Sequence, residues 1–258
     1  MDKQYIEKRY KNPKIIAAFL EAEWSDLFFT SKCKSYDVDI TKCFPSPFYK
    51  KVADYINNQV EKKITSVCDV GCATGRFIYE WLRLSKSTKK AYLVEPSNIL
   101  LKYAKKFLSS AEEVKELYEV GGPIENMISV VENRKLTVNY NCEIVYINKT
   151  IEKAAIKDNY FDLITCFNVI DRHQDPPALL NLLKRYVKNN GAVAIASPMD
   201  WDSSPAPKKF WVNDLRDYLT EEWTIHSSRD FEYPFRYSTR KVTFFVTQVV
   251  ICYPKWNK

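Results

Sequence analysis

Histidine and glycine are scarce in this 258-residue chain, which has two histidines, His173 and His226, and five glycines. The seven cysteines are odd in number and include no C-x-x-C pair, so neither a disulfide framework nor a zinc site is expected. No apolar run approaches the ~20 residues that a membrane span needs, and the N-terminus is charged from Asp2 onward. We therefore expect a protein of the reducing cytoplasm that does not span a membrane.

The charge of the chain is positive but dispersed. There are 39 lysines and arginines against 32 aspartates and glutamates, which gives a formal charge of +7. The basic residues are scattered and are not gathered into one block, so a nucleic-acid partner is not expected. Apolar residues make up 46% of the chain and aromatic residues 14%, which is enough to bury a full core and argues against disorder.

Strand-like and helix-like segments alternate along most of the chain, which predicts an α/β fold built on a parallel sheet. We expect a three-layer, Rossmann-like sheet of seven mostly parallel strands with an antiparallel last strand, flanked by helices. The apolar segments that predict strands are residues 64–70, 91–94, 143–147, 161–167 and 192–196, followed by two closing strands, of which the last spans residues 242–252.

The N-terminal region, residues 1–47, is predicted to be a helical extension packed on a core domain of residues 48–258. The Asn-Pro pair at residues 12–13 is a favourable helix start. Residues 25–47 mix aromatic with polar residues and contain two prolines, which predicts a loop. Residues 111–141 include a Gly-Gly-Pro sequence and have weak periodicity, so we expect an insertion there.

Two helices of the core domain are predicted from the spacing of apolar residues and from capping signals. Phe77, Trp81 and Leu84 are spaced to face the sheet, and Glu80 then faces solvent. The Asn-Gly pair at residues 190–191 is typical of a helix C-terminus, and it predicts the end of the helix before the fifth strand.

The sequence V-C-D-V-G-C-A-T-G-R, residues 67–76, leads from a predicted strand through a turn with Gly71 and Gly75 into a predicted helix. Ligands of parallel sheets bind at the carboxyl ends of the strands, and glycine lets the backbone approach a ligand closely. Glu95 ends the next strand, 24 residues after Gly71, where a carboxylate can accept hydrogen bonds from both hydroxyls of a ribose. There is neither a third glycine in this turn nor a G-K-[ST] phosphate loop. The pattern therefore favours a cofactor that has a ribose but no phosphate.

This combination resembles the class I methyltransferases, which bind S-adenosyl-L-methionine, over roughly residues 48–253. The resemblance implies that S-adenosyl-L-methionine is the cofactor, with its methionine portion at the glycine turn and its ribose at Glu95. Many members have an acid after the third strand that accepts from the adenine amine, and Asn148 stands in that region here. The cofactor-binding residues implied in this way are Asp69, Gly71, Cys72, Gly75, Glu95, Asn148 and Asn168.

A polar stretch, residues 168–176, leaves the sheet at the same edge as the glycine turn. Methyl transfer from a sulfonium needs a nucleophile in line with the methyl group, and positioning supplies much of the rate. Asn168 and Asp171 could hold an imidazole or an amine. A carboxylate that accepts the N–H of an imidazole leaves the opposite ring nitrogen free to attack.

The sequence N-V-I-D-R followed by D-P-P in this stretch resembles the methyltransferase module of ovothiol-type synthases, which methylates a ring nitrogen of 5-thiohistidine. It is similar, more distantly, to methyltransferases that act on the π nitrogen of histidine in proteins. The resemblance implies N-methylation of the imidazole of a histidine derivative, with Asn168 and Asp171 as the catalytic residues that orient the ring. The substrate-binding residues that we assign with it are Trp201, Phe235, Arg236 and Arg240, although the two arginines could equally lie on the surface.

Two histidines cannot form the iron site of the sulfoxide-forming module that full ovothiol synthases carry. We therefore expect a stand-alone, metal-free enzyme with a small-molecule acceptor, and we expect neither His173 nor His226 to be catalytic. Two alternatives stay open: a protein-histidine methyltransferase with a peptide acceptor, and a protein that binds S-adenosylmethionine without turnover. RNA methylation is disfavoured, because the D-P-P sequence is followed by Ala178 and not by tyrosine.

Overall fold

The computed structural model describes residue 10 and residues 12–30, 47–108, 117–120, 127–131, 141–219, 222–238 and 241–256. In chain order the α-helices are α1 (Pro13–Phe28), α2 (Phe48–Gln59), α3 (Arg76–Leu84), α4 (Asn98–Leu108) and α5 (Pro176–Tyr186). The β-strands are β1 (Phe29–Thr30), β2 (Ser66–Val70), β3 (Lys90–Val94), β4 (Leu117–Val120), β5 (Met127–Val131), β6 (Glu143–Ile147), β7 (Phe161–Phe167), β8 (Val187–Ser197), β9 (Trp223–Ser238) and β10 (Lys241–Pro254). No helix in this described part of the chain is both long and apolar enough to cross a membrane.

Seven strands form one sheet in the order β6-β3-β2-β7-β8-β10-β9. Strands β6, β3, β2, β7 and β8 are parallel to one another. Strand β10 runs antiparallel between β8 and β9. The predicted α/β fold, with seven mostly parallel strands and an antiparallel last strand, is therefore confirmed.

Both faces of this sheet are covered. On β8, Ala192, Ala194 and Ala196 belong to the apolar cluster shared with α1 to α4, whereas Val193 and Ile195 belong to the cluster shared with α5. Because successive side chains of a strand point to opposite faces, a sheet covered on both faces needs apolar residues at every position. This explains why the central strands are continuous apolar runs in the sequence.

A second, antiparallel sheet of three strands has the order β1-β5-β4. Strands β4 and β5 come from the predicted insertion, and they pair with β1 and with each other rather than with the large sheet. The loop predicted for residues 25–47 is wrong at its start, because α1 continues to Phe28 and β1 follows it. Residues 31–46 lie outside the described residues, and the domain boundary at residue 47 stays a prediction.

Two helix predictions are corrected by the structure. Helix α5 ends at Tyr186, and residues 190–191 lie within β8, because the backbone from Val187 onward pairs with β7. In α3, Glu80 is buried although it was expected to face solvent, and Leu84 is 39% exposed although it was expected to face the sheet. The reason for the burial of Glu80 is its ion pair with Arg76, at 2.6 Å.

Candidate active site

A cavity lies at the carboxyl ends of β2, β3 and β7, which is the edge of a parallel sheet at which ligands bind. Its walls enclose about 1360 Å³ of empty space, including the part that is open to solvent. The cavity lies where the loops after three neighbouring parallel strands meet.

The turn after β2 brings its backbone to the cavity wall at Gly71. Gly71 has a φ of +71°, and a Cβ atom there would lie 2.3 Å from Cγ2 of Val169. Its N–H donates to the carbonyl of Val94 at 2.8 Å, which ties the turn to the neighbouring strand. Only glycine combines this left-handed conformation with so close a neighbour.

Glu95, directly after β3, also lines the cavity and is buried. Its Oε1 accepts the N–H of Ser97 at 2.8 Å, and its Oε2 accepts the N–H of Ala73 at 3.1 Å. Burial raises the pKa of Glu95 to about 7, against the opposing effect of these two hydrogen bonds. The carboxylate is fixed in orientation, and each oxygen keeps a further lone pair for a ligand hydroxyl.

Three other residues predicted to bind the cofactor do not line the cavity among the described residues. Asp69 is buried and accepts the hydroxyl of Thr165 at 2.7 Å, and burial raises its pKa to about 7. Cys72 is buried as well. Gly75 has a φ of +82° and packs against α4, where a Cβ atom would lie 3.0 Å from Cδ1 of Leu108.

Asn148 likewise is not among the described residues that line the cavity. Its amide nitrogen donates to the carbonyls of Glu95 and Pro96, both at 3.0 Å. These bonds engage the nitrogen, so the amide oxygen is the atom left to accept a hydrogen bond.

Asn168 and Asp171 both line the cavity just beyond β7. Asn168 has a φ of +56°, a left-handed conformation that asparagine adopts more readily than most residues. Asp171 lies in a short 3₁₀ turn, Ile170–Arg172, and is completely buried. The Oδ1 atoms of both side chains are buried and have no hydrogen-bond partner among the described residues. Buried polar atoms without partners are rare, so two of them on one wall indicate a place for a ligand donor.

The other oxygen of Asp171 is engaged by the chain itself. Its Oδ2 accepts the N–H of Asp200 at 3.3 Å and lies 3.9 Å from Nη2 of Arg172. The same Nη2 of Arg172 pairs with Oδ2 of Asp200 at 2.7 Å. Burial raises the pKa of Asp171, and the charge of Arg172 opposes that rise. The Asp171 side chain is thereby fixed on one side, while Oδ1 is left without a partner from the described residues.

The predicted substrate residues are not all brought to this cavity. Phe235 is buried and lines it. Trp201 does not line it among the described residues, because Nε1 of Trp201 donates to the carbonyl of Val212 at 2.6 Å and its ring stacks on Trp211. Of the two arginines, the side chain of Arg236 and the whole of Arg240 lie outside the described part of the structure.

His173 lies at the cavity wall together with Glu152. Nε2 of His173 is 2.5 Å from Oε1 of Glu152, and Nδ1 is 2.7 Å from the carbonyl of Asp175. The hydrogen bond with His173 lowers the pKa of Glu152 to about 2. Both ring nitrogens of His173 are thus engaged by the chain, and a non-catalytic role for it stays a prediction. In the described part of the chain, no group of three histidine, cysteine or acidic side chains is placed to hold a metal ion.

Sequence reasoning missed the part of the cavity wall that does not come from the loops following the parallel strands. Helix α1, helix α2 and the hairpin of β9 and β10 supply a buried carboxylate and several aromatic rings to this wall. The Asn-Pro pair at residues 12–13 predicted a helix packed on the core, but no local pattern distinguishes a carboxylate at a ligand site from one at the surface. The missed residues are Tyr10, Phe19, Glu23, Tyr49, Tyr233 and Phe245.

Comparison with known proteins agrees with this geometry. A family model described as a methyltransferase domain matches residues 39–238. The chain is similar to magnesium protoporphyrin IX methyltransferase (ChlM) from Synechocystis PCC 6803 with bound S-adenosylmethionine, with a TM-score of 0.56, 11% identity, and coverage of 99% of this chain and 98% of that chain. It is also similar to the N-methyltransferase NodS from Bradyrhizobium japonicum WM9, with a TM-score of 0.54, 11% identity, and coverage of 82% and 99%.

A third similar structure concerns the conversion of a disulfide bond into a thioacetal group during echinomycin biosynthesis, with a TM-score of 0.55, 16% identity, and coverage of 96% and 94%. At such identities the likeness of structures shows the fold alone, and no curated protein matches the sequence. The family match is independent of these structures and covers most of the chain. The chain therefore belongs to the methyltransferase domain family and is a class I, S-adenosylmethionine-dependent methyltransferase.

Proposed function

We propose that this enzyme methylates a ring nitrogen of an imidazole in a small histidine derivative such as 5-thiohistidine. The observation that carries the proposal is a pair of buried oxygens on one cavity wall, Oδ1 of Asn168 and Oδ1 of Asp171, which receive no hydrogen bond from the described part of the chain. An imidazole N–H can donate to such an oxygen. The opposite ring nitrogen then presents its lone pair to the remainder of the cavity.

The residues at the sheet edge fit S-adenosylmethionine. Gly71 places the backbone of the turn at the cavity wall, in a conformation and beside a neighbour, Val169, that exclude a Cβ, and the Glu95 carboxylate can accept the ribose hydroxyls. When bound, S-adenosylmethionine supplies a methyl group that the adjacent sulfonium charge makes electrophilic. In this proposal Asp69, Cys72 and Gly75 support the glycine turn from behind, and Asn148 can accept the adenine amine.

Asp171 has two roles in the proposed reaction. Before transfer, its carboxylate accepts the imidazole N–H and fixes which nitrogen attacks. After transfer, the new N–CH₃ bond leaves a positive charge on the ring, and the buried carboxylate stabilises that charge at short range. The ring proton stays on the nitrogen that faces Asp171, so no external base is needed for the step. Phe235 contributes an aromatic surface against which a planar ring can pack.

The direct test is methyl transfer from isotopically labelled S-adenosylmethionine to 5-thiohistidine, to free histidine and to a histidine-containing peptide. Mass spectrometry locates the methyl group on the product. We expect transfer to a ring nitrogen of one of the free compounds. Transfer only to the peptide would establish the protein-histidine alternative, and no transfer to any of the three, with cofactor binding intact, would refute an imidazole acceptor.

Replacing Asp171 tests its assigned role. Asp171→Ala should lower kcat by about 10²–10⁴-fold, because the imidazole loses its acceptor. The isosteric Asp171→Asn keeps an acceptor oxygen but loses the negative charge that stabilises the methylated ring, so it should lower kcat by a smaller factor. Affinity for the cofactor should change only a few-fold, as measured by calorimetry. Asp202→Asn, which changes an exposed acid of the following 3₁₀ turn, is the matched control and should leave kcat unchanged. Loss of cofactor binding in the Asp171 variants would show that Asp171 belongs to the cofactor site.

A further inference from the structure

Glu23 is a buried carboxylate on α1 that lines the cavity. It is 1% exposed. Its Oε2 accepts the N–H of Thr74 at 3.3 Å and also the hydroxyl of Thr74. Its Oε1 is buried and has no hydrogen-bond partner among the described residues. Oε2 is therefore tied to the glycine turn, whereas Oε1 has no partner from the part of the chain that the structure describes.

Arg76 contacts Glu23, but its charge does not pair with the Glu23 carboxylate. The guanidinium of Arg76 donates to the backbone carbonyl of Glu23, not to its carboxylate. Its remaining bonds go to Asp26 and Glu80. Burial raises the pKa of Glu23 to about 8. The hydrogen bonds from Thr74 and the charge of Arg76 oppose this rise but do not cancel it. A buried carboxylate in this state gains most from a ligand that brings a positive charge.

Several aromatic residues line the same cavity as Glu23. Tyr49 of α2 and Tyr233 and Phe235 of β9 all line the cavity, and so does Phe19, which is on α1 with Glu23. Their ring centroids form a continuous series: Phe19 is 5.3 Å from Phe235, Phe235 is 6.5 Å from Tyr233, and Tyr233 is 6.4 Å from Tyr49. The faces of aromatic rings attract cations, and this attraction is strongest where water is excluded.

We propose that Glu23 binds a primary ammonium group of a ligand in this cavity. An ammonium donates up to three N–H bonds, so it can satisfy Oε1 of Glu23 while the aromatic rings surround its remaining surface. This assignment makes helix α1, which lies outside the segment that carries the glycine turn, a part of the binding site. It also gives a reason for the hydrogen bonds that hold Glu23 against Thr74.

Two ligands of the reaction carry a primary ammonium group. One is the methionine portion of the cofactor, and the other is a free histidine derivative, which has an α-ammonium that a histidine inside a peptide lacks. The second source rests on the proposed function, whereas the first does not. Both sources would present an ammonium group to Glu23. Comparing each ligand with an analogue that lacks this group distinguishes the two sources.

The experiment compares wild-type protein with Glu23→Gln by calorimetry. The first pair of ligands is S-adenosylhomocysteine and 5′-methylthioadenosine, which lacks the amino-acid portion. The second pair, measured with S-adenosylhomocysteine present, is histidine and 4-methylimidazole. We expect Glu23→Gln to weaken the ammonium-bearing member of one pair by about tenfold or more relative to its partner. The pair that responds identifies the source of the ammonium group.

Glu21→Gln is the control, because Glu21 is a buried acid of the same helix that is not among the described residues lining the cavity. It should change both members of each pair equally. Thermal unfolding of Glu23→Gln checks that the variant is folded. If neither pair distinguishes Glu23→Gln from the wild type, the proposal is overturned. If neither imidazole compound binds the wild type, the first pair alone decides the role of Glu23, while the proposed acceptor is decided by the methyl-transfer test.

Discussion

At the scale of single residues, Gly71 lies at the cavity wall in a position that only glycine can occupy. Its positive φ is unfavourable for any other residue, and its missing Cβ makes room for Val169. Gly75 also has a positive φ, but the atoms near it belong to Leu108, Ala104 and Leu93, which are core residues. Both glycines belong to the same turn in the sequence, but in the structure Gly71 lines the cavity and Gly75 packs against the core.

Gly71→Ala should therefore lower the affinity for S-adenosylmethionine by about tenfold or more and also destabilise the fold by about 1–3 kcal/mol. Calorimetry and urea unfolding measure the two effects. The double variant Gly71→Ala with Val169→Ala removes the contact at 2.3 Å but not the strained φ, so part of the affinity should return. Gly75→Ala should cost stability while changing affinity less. Unchanged affinity in the single Gly71 variant would contradict this account of the turn.

The residues that could be predicted are those whose role depends on neighbours close in the chain. Gly71 and Glu95 follow two adjacent strands, and their place at the sheet edge follows from parallel topology alone. Asn168 and Asp171 follow a third strand at the same edge. Glu23 could not be predicted in this way, because its partner Thr74 is 51 residues away and the contact depends on how α1 packs.

At the scale of elements, Arg76 of α3 connects this helix to α1 through an ion pair. Its guanidinium lies 2.5 Å from Oδ1 of Asp26 on α1 and 2.6 Å from Oε1 of Glu80 on its own helix. It also lies 5.2 Å from the ring centroid of Trp24, whose Nε1 donates to Thr74 at 2.6 Å. The apolar spacing of α3 correctly predicted that Phe77 and Trp81 are buried, but it could not show that Arg76 and Glu80 are buried as a pair.

Arg76→Met should lower the free energy of unfolding by roughly 3–5 kcal/mol, because it leaves the buried Glu80 without its main partner. Urea denaturation measures this. Arg83→Met is the matched control on the same helix, since Arg83 is half exposed and contacts Glu80 from its outer side, and it should cost at most about 1 kcal/mol. Equal losses in the two variants would show that the buried pair has no special role.

At the scale of the whole molecule, the large sheet was predictable and the small one was not. Alternating strands and helices specify a parallel sheet with few topological choices. The small sheet instead pairs Phe29 with Val131, across a separation in sequence that no local pattern encodes. Contacts of this kind also build the cavity, since α1 and the hairpin of β9 and β10 meet over the edge of the sheet.

One consequence of this arrangement is that three buried acids gather around the glycine turn. Burial raises the pKa of Glu23 to about 8 and those of Asp69 and Glu95 to about 7. In the unfolded chain these groups have their ordinary values near 4. Between about pH 4 and pH 8 the folded protein therefore binds more protons than the unfolded chain does, and its stability must fall as the pH rises.

We expect the melting temperature of the ligand-free enzyme to fall by about 5 °C or more between pH 5.5 and pH 8.5, as measured by calorimetry. Glu152, whose pKa is lowered to about 2, acts in the opposite direction only at more acidic pH, so it does not disturb this window. Glu23→Gln removes the acid with the highest of the three values, and it should reduce the slope and raise the melting temperature most at pH 8. Asp202→Asn, which changes an exposed acid, serves as the control. A melting temperature that rises from pH 5.5 to pH 8.5 would mean that these carboxylates are ionised and paired in the folded protein, in conflict with their burial around the turn.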